Sequence, residues 1–347
     1  MSLIPPAEPR QAAQQAAEWS ARREQGSRWA LQFMAWVAVA LGRPVARLLL
    51  HPISLYYVLF AVTARRHSRR YLKRALGRDA TWRDGYRHVH SFASTVLDRI
   101  YFVRGQMQHF QVRTVGGPAV DVSMQDGRGA FLLGAHIGSF EALHAIGDTR
   151  PGLQLSMVMY PDNARMIHGV LQALAPDFKL GIIAIGRPGS TLAIRDALNA
   201  GGLVGMLGDR SVTADGSRAS GTASGTASGT ASGSASGGPN ARTHATGMLS
   251  IPFLGVPATF SEGPLRLALV LKRRVFFMVG LYRGGNVYEL RIEPLADFTQ
   301  PPASPQDREA LMHDALRAYV AKLEALVREA PYNWFNFYDF WTEENHG

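Results

Sequence analysis

Apolar and polar positions divide the chain into a leading third of long apolar and cationic runs and a body in which short apolar runs alternate with helical patterns. From Ala130 the alternation is regular. It predicts strands at 130–135, 153–160, 180–185 and 203–207, with helices at 139–146, 162–175 and 189–200 between them, the pattern of an α/β domain with helices laid on a sheet. Residues 251–259 are apolar with Pro and Gly punctuation, and 261–272 read as helix. Val275–Tyr282 and Val287–Ile292 read as a strand pair around Gly284-Gly285-Asn286. Ser304-Pro305-Gln306-Asp307 is a helix start, with an N-cap, proline at the first position and an acid at the third. Leu311, Ala315, Leu316, Tyr319, Val320, Leu323 and Val327 then form one apolar face through Glu329, and Pro331 ends the helix. The aromatic tail Tyr332–Trp341 is expected to pack as core.

The leading third has a different pattern. Residues 1–28 are polar, with no small-residue cleavage site of a signal peptide. Trp29–Leu41 is an apolar run, broken at Gly42-Arg-Pro44. A second run, Val45–Val62, is interrupted by Arg47, His51 and Pro52. Neither supplies the roughly 20 apolar residues of a membrane span, and a crossing hairpin would carry Arg43 and Arg47 to the far side, against the positive-inside tendency. Helices lying in a membrane interface are therefore expected, ahead of a single span and of a buried pair. On a helix over 64–78, Arg65, Arg69 and Lys73 share one ridge and Arg66, Arg70 and Arg74 the next. Tyr86–Phe102 reads as a further helix, whose His88 and His90 have no ligand set around them, and Phe110–Val120 as a strand and turn.

Charge sharpens this division. Of 37 Lys and Arg and 27 Asp and Glu, residues 1–114 hold 18 and 6, leaving the rest near balance. That argues against a basic nucleic-acid-binding body and for local contact with an anionic surface. The chain has no cysteine, which excludes disulfides, thiolate catalysis and cysteine-bound metals. Residues 214–247 repeat Gly, Thr, Ala and Ser and are expected to be a disordered insertion in a surface loop.

The candidate chemistry centres on Phe131-Leu-Leu-Gly-Ala-His-Ile-Gly-Ser-Phe-Glu-Ala-Leu-His144. His136 falls at a strand-to-helix junction between Gly134 and Gly138. Ser139 is an expected N-cap, with Glu141 in the first turn. On one regular helix His136 and Glu141 would stand about 140° apart; with His136 on the loop they are able to meet. A carboxylate on one ring nitrogen leaves the other as a base. Backbone N–H groups near Gly138 and Ser139 are candidate donors to a developing oxyanion. Taken alone, a His–Glu pair also has a structural reading. Glu141-Ala-Leu-His144 is an E-x-x-H, but the second such motif of a di-iron bundle is missing. Ser139 does not stand in a G-x-S-x-G elbow. His136, Tyr160 to Asn163, Gly186-Arg187 and Asp209-Arg210 all fall at or just beyond the ends of predicted strands, where α/β folds gather their sites.

The H-x4-E stretch resembles the H-x4-D/E motif of glycerolipid and lipid A acyltransferases. Further blocks follow in order: Gly186-Arg-Pro-Gly189, Gly205-Met-Leu-Gly-Asp209, Ile251-Pro-Phe-Leu-Gly-Val-Pro-Ala-Thr259 and Asn333-Trp-Phe-Asn-Phe-Tyr-Asp-Phe-Trp341. From about Leu41 to Trp341 the chain is similar to the bacterial late acyltransferases of lipid A biosynthesis (HtrB-like), and most of all to the divergent members of aryl-polyene pigment clusters. The resemblance implies an α/β fold, a glycerolipid-acyltransferase-like mixed sheet flanked by helices with an N-terminal membrane-associating helical region. It divides the chain into a polar segment 1–28, membrane-associating helices 29–78 and an acyltransferase domain 79–347 containing the 214–247 insertion.

The implied activity is O-acyl transfer. A fatty or polyene acyl group would pass from an acyl carrier protein or coenzyme A thioester to a lipid hydroxyl at the cytoplasmic face of the bacterial inner membrane. His136 would be the general base, oriented by Glu141. Gly138, Ser139, Asn163, Arg165, Arg187, Asp209 and Arg210 would bind substrate, with no metal and no cofactor beyond the thioester co-substrate. Anionic membrane lipid is the further implied partner, and nucleic acid is not one. Arg187 matches the arginine of the family's G-R block and is expected to bind phosphate or an acyl-donor group. Two departures weigh against a lipid A acceptor: Arg210 replaces the Gln of the family's D-Q-D block, and the C-terminal W-x-H-x-R motif is absent. The alternatives are a catalytically silent lipid-binding protein of the same fold and a thioesterase.

Overall fold

Apolar runs of the body become strands, numbered here in chain order: β1 (Gln111–Val115), β2 (Ala130–Gly134), β3 (Leu155–Met159), β4 (Gly181–Ala184), β5 (Leu203–Leu207), β6 (Met248–Phe253), β7 (Val256–Ser261), β8 (Arg274–Gly284) and β9 (Val287–Asp297). The helices are α1 (Gly42–Phe60), α2 (Val62–Leu76), α3 (Trp82–Val103), α4 (Ser190–Asn199), α5 (Gly263–Val270) and α6 (Pro305–Glu329). The structure, a computed structural model, describes residues 36–117, 124–143, 154–159, 181–186, 189–210 and 247–341. The expected helix at 162–175 and the 214–247 insertion lie outside them. Contacts divide the chain into two units: Met1–Leu49 with Val212–Ser236, and Leu50–Ser211 with Gly237–Gly347. In the first, the described residues are 36–49, helical at 36–40 and again from Gly42 in the opening turns of α1. The second contains every strand named above and the candidate site.

The protein is α/β, with a seven-stranded mixed sheet in the order β1-β9-β8-β2-β5-β3-β4 and a separate β6–β7 hairpin. Within the larger sheet only β8 and β9 pair antiparallel; β2 is parallel to both β5 and β8. β2 is buried at all five positions, as a central parallel strand covered on both faces must be. Its side chains alternate between two cores. Phe131 and Leu133 join Tyr71 and Leu72 of α2, Leu198 of α4, Leu265 of α5 and Leu316 of α6. Ala130 and Leu132 join Leu203, Met278 and Leu290 on the other face.

The helix ends follow from local chemistry. Ser304 Oγ accepts from the Asp307 N–H at 3.4 Å, with Pro305 in the first turn of α6. Thr81 and Asp84 form a reciprocal capping box on α3. Asp84 also holds Arg78 at 2.8 Å and accepts from the Tyr332 hydroxyl at 2.7 Å. The Arg78 hydrogen bond outweighs burial and holds this carboxyl far below the usual carboxylate range. The helical residues 36–40 end at Leu41 and Gly42-Arg-Pro44 opens α1, where a proline in the first turn costs no intrahelical bond, so the expected break falls between two helices. α1 and α2 meet at a bend of 93°. Among the described residues no single helix is long and apolar enough to cross a membrane; only this bent pair passes that test together.

Candidate active site

Strand register builds the site. β2 and β5 are parallel neighbours with Gly134 opposite Leu207, so His136 and Asp209, each two residues beyond, emerge side by side at the carboxyl end of the sheet. Gly208 N–H and the Tyr319 hydroxyl both donate to Gly134 O, at 3.0 and 2.9 Å, fixing this corner. Asp209 then takes three N–H donors. His136 Nδ1 lies 2.8 Å from Oδ1, while the His136 backbone N–H and Trp334 Nε1–H reach Oδ2 at 3.0 and 2.9 Å. Burial pushes the Asp209 carboxyl up, but the charge and hydrogen bond of His136, the charge of Arg210 and the Trp334 N–H outweigh it and hold the group well below the carboxylate range. An ionised Asp209 only accepts, so Nδ1 carries a proton, and an imidazole with one proton keeps its lone pair on Nε2. The imidazole is 30% exposed, and among the described residues no hydrogen bond is recorded at Nε2.

This geometry corrects the expected role of Glu141. The ring's carboxylate partner is Asp209, 73 residues away. Glu141 instead pairs with Arg99 of α3 at 2.6 Å and accepts from the Ser139 hydroxyl at 2.9 Å. The physical reason is the turn. The helix expected over 139–146 is, within the described residues, a four-residue 3-10 turn at Phe140–Leu143, and the Ser139 hydroxyl is engaged by Glu141. The loop before that turn is pressed onto β8. Gly138 has φ +60°, and a Cβ there would lie 1.9 Å from Gly280 O.

The expected oxyanion donors are corrected in the same way. Gly138 N–H donates to Asn333 O at 2.9 Å and Ser139 N–H to Gly280 O at 2.8 Å. Both amides are spent on holding the loop, and the Ser139 side chain is fully buried. Gly138 and Ser139 are therefore loop-packing residues. Asn163, Arg165 and Arg187 lie outside the described residues, as does Tyr160, so the structure brings together His136, Asp209 and Arg210 from the expected set. The Arg210 guanidinium sits 5.0 Å from the Tyr338 ring, and its Nε is buried without a hydrogen bond among the described residues.

The C-terminal tail supplies what the sequence reading missed. Trp334 is buried, edge-on to Tyr71 at 4.9 Å, and its N–H fixes Asp209. Phe335 N–H donates to His136 O at 3.0 Å. Asn333 clasps Tyr282 through both its side-chain oxygen and its amide. Behind Trp334 stands His88, fully buried. Its Nε2 lies 2.8 Å from Trp334 O, which only accepts, so Nε2 carries the proton and Nδ1 accepts from Ser68 Oγ at 2.7 Å. Burial lowers the His88 pKa to about 4, against the opposing hydrogen bond to Trp334. The signal in sequence was the aromatic tail itself, but nothing in its spacing marks one indole N–H as the partner of an aspartate 125 residues earlier.

No protein-family model matches the chain, and a search of curated proteins finds no match.

Proposed function

We propose that the protein is a membrane-associated O-acyltransferase in which His136, held by Asp209, is the general base. The observation that carries this reading is the His136 Nδ1–Asp209 Oδ1 contact at 2.8 Å, with Nε2 left to face a substrate. The acceptor hydroxyl gives its proton to Nε2 as its oxygen attacks the thioester carbonyl. The tetrahedral adduct collapses with cleavage of the C–S bond, and the imidazolium returns the proton to the departing sulfur, giving ester and free thiol. No covalent enzyme intermediate is needed. Arg210, a cation beside the dyad with a buried unbonded Nε, is the donor this reading assigns to the oxyanion. The ordered sequence blocks support a glycerolipid-acyltransferase-like fold and a thioester from acyl carrier protein or coenzyme A as donor.

Membrane association is supported by α1 and α2. Tyr56, Tyr57, Leu59 and Phe60 at the end of α1 are all exposed, Phe60 by 66%. Immediately beyond the bend, Val62, Arg65, Arg66, Arg69 and Arg70 line a groove of about 380 Å³. Apolar surface followed at once by arginines suits the boundary between acyl chains and anionic headgroups. The test is acyl transfer from a thioester donor to hydroxyl-bearing lipid in vesicles, followed by mass spectrometry of the lipid. Ester formation that requires His136 supports the reading; release of free acid with no ester moves it to a thioesterase.

A further inference from the structure

A second cationic concavity lies at the opposite end of the sheet from His136. Gly127 and Arg128 precede β2, Leu271-Lys272-Arg273 precede β8, and Asn199 ends α4; together they line a pocket of about 420 Å³. β2 and β8 are parallel neighbours, so their leading segments open side by side, a strand's length (~16 Å) from the dyad. Three cationic residues, Arg128, Lys272 and Arg273, are among those lining this space. The nearby acid, Asp126, is taken by Arg274 at 2.6 Å and by the Arg128 backbone N–H at 3.0 Å, while Asp297 holds Arg274 at 3.3 Å.

Two further features mark the pocket. Arg273 donates through one terminal nitrogen to the Asn199 side-chain oxygen, yet its Nε is buried with no hydrogen bond among the described residues. Lys272 holds a left-handed backbone, φ 53°, unusual for a non-glycine residue. Burial, with the neighbouring Arg128 charge adding to it, lowers the Arg273 pKa against the opposing charge of Asp126, a carboxylate that also pairs with Arg274, so the cations here outnumber their nearby acid.

We infer that Arg128, Lys272 and Arg273 form a binding site for a tetrahedral dianion, phosphate or a phosphomonoester, separate from the His136–Asp209 pair. Guanidinium and ammonium groups are the donors such a group takes, and two negative charges relieve the repulsion among three cations.

The test is the melting temperature of the full chain in inorganic phosphate, in glycerol 3-phosphate and in chloride of matched ionic strength, with vesicles containing phosphatidic acid as a separate arm. The expected result is a saturable rise of about 2–6 °C with a phosphomonoester or phosphate and none with chloride. It is lost in Arg128→Gln and Arg273→Gln, and reduced in Lys272→Gln, whose exposed side chain leaves the fold alone. Phosphate also stabilises proteins by exclusion from their surface, and that part persists in all three variants. A variant-sensitive shift with both soluble probes assigns a soluble source; one seen with vesicles alone assigns a lipid headgroup. Overturning results are a phosphate shift no larger than chloride's with no vesicle effect, an adventitious ion only, or a shift of equal size in all three variants.

Discussion

Asp209 accepts three N–H groups and donates none, which makes it the residue whose charge and geometry the dyad depends on. Asp209→Asn places an amide against those donors, frees the ring to take the wrong tautomer and is expected to slow acyl transfer by about 10²–10⁴. Steady-state rates beside a melting curve check this. Glu141→Gln is the contrasting variant. It gives up a contact with Arg99, whose side chain is 46% exposed, a pair worth about 1 kcal/mol or less. Its rate is expected to stay within about threefold of the parent, well short of the loss from removing a positioned base; a loss as deep as that of Asp209→Asn would return Glu141 to the chemistry. His88 adds a pH dependence. Its folded pKa of about 4 lies below the ordinary 6.5, so between these values the unfolded chain binds a proton that the fold refuses. Stability from this residue is complete above pH 6.5 and falls as pH drops toward 4, by about 3 kcal/mol. The difference in melting temperature between the parent and His88→Gln, followed from pH 7 to 4, should narrow as the pH falls; a constant difference contradicts the assignment.

At the scale of elements, the exposed end of α1 and the arginines of α2 lead to a charge-reversal prediction. Each basic residue near an anionic surface contributes about 1 kcal/mol, so Arg66→Glu with Arg69→Glu should reduce partition onto anionic vesicles at least ~25-fold while leaving binding to high-salt or neutral vesicles nearly unchanged. Flotation over a salt series reads this directly, and an unaltered anionic preference would move the contact elsewhere. The elements also show what the sequence carried. The strand expected at 203–207 occupies Leu203–Leu207, and β2 is one residue shorter than the expected 130–135, because each is a short apolar run punctuated by glycine. α6 begins where its cap residues place it. The turn after His136 was misread because Ser139 and Glu141 carry the composition of a helix start, while the close packing of Gly138 on Gly280 is a contact between residues distant in sequence. Asp209 was legible as a strand-end residue but not as the ring's partner: that pairing exists only because β5 lies beside β2, and adjacency of strands is set by the whole sheet.

For the whole molecule, the dyad lies at the carboxyl ends of β2 and β5, and the tail returns from α6 to close it. α2 reaches the same point, since Tyr71 packs on Trp334 and donates to Pro331 O at 2.6 Å. The helix proposed to meet the membrane thus shares a core with the residue that holds Asp209, and Trp334→Phe, which keeps a ring but loses the N–H, should lower both melting temperature and rate. In the proposed chemistry an imidazole fixed by Asp209 removes the acceptor proton. The most direct measurement is single-turnover acyl transfer by the full chain on lipid vesicles, comparing the parent with His136→Ala and Asp209→Asn, each shown folded by its melting curve. A loss of about 10²–10⁴ is expected in both variants, with thioester binding retained. Ester formation at the parent rate by folded His136→Ala would contradict this chemistry.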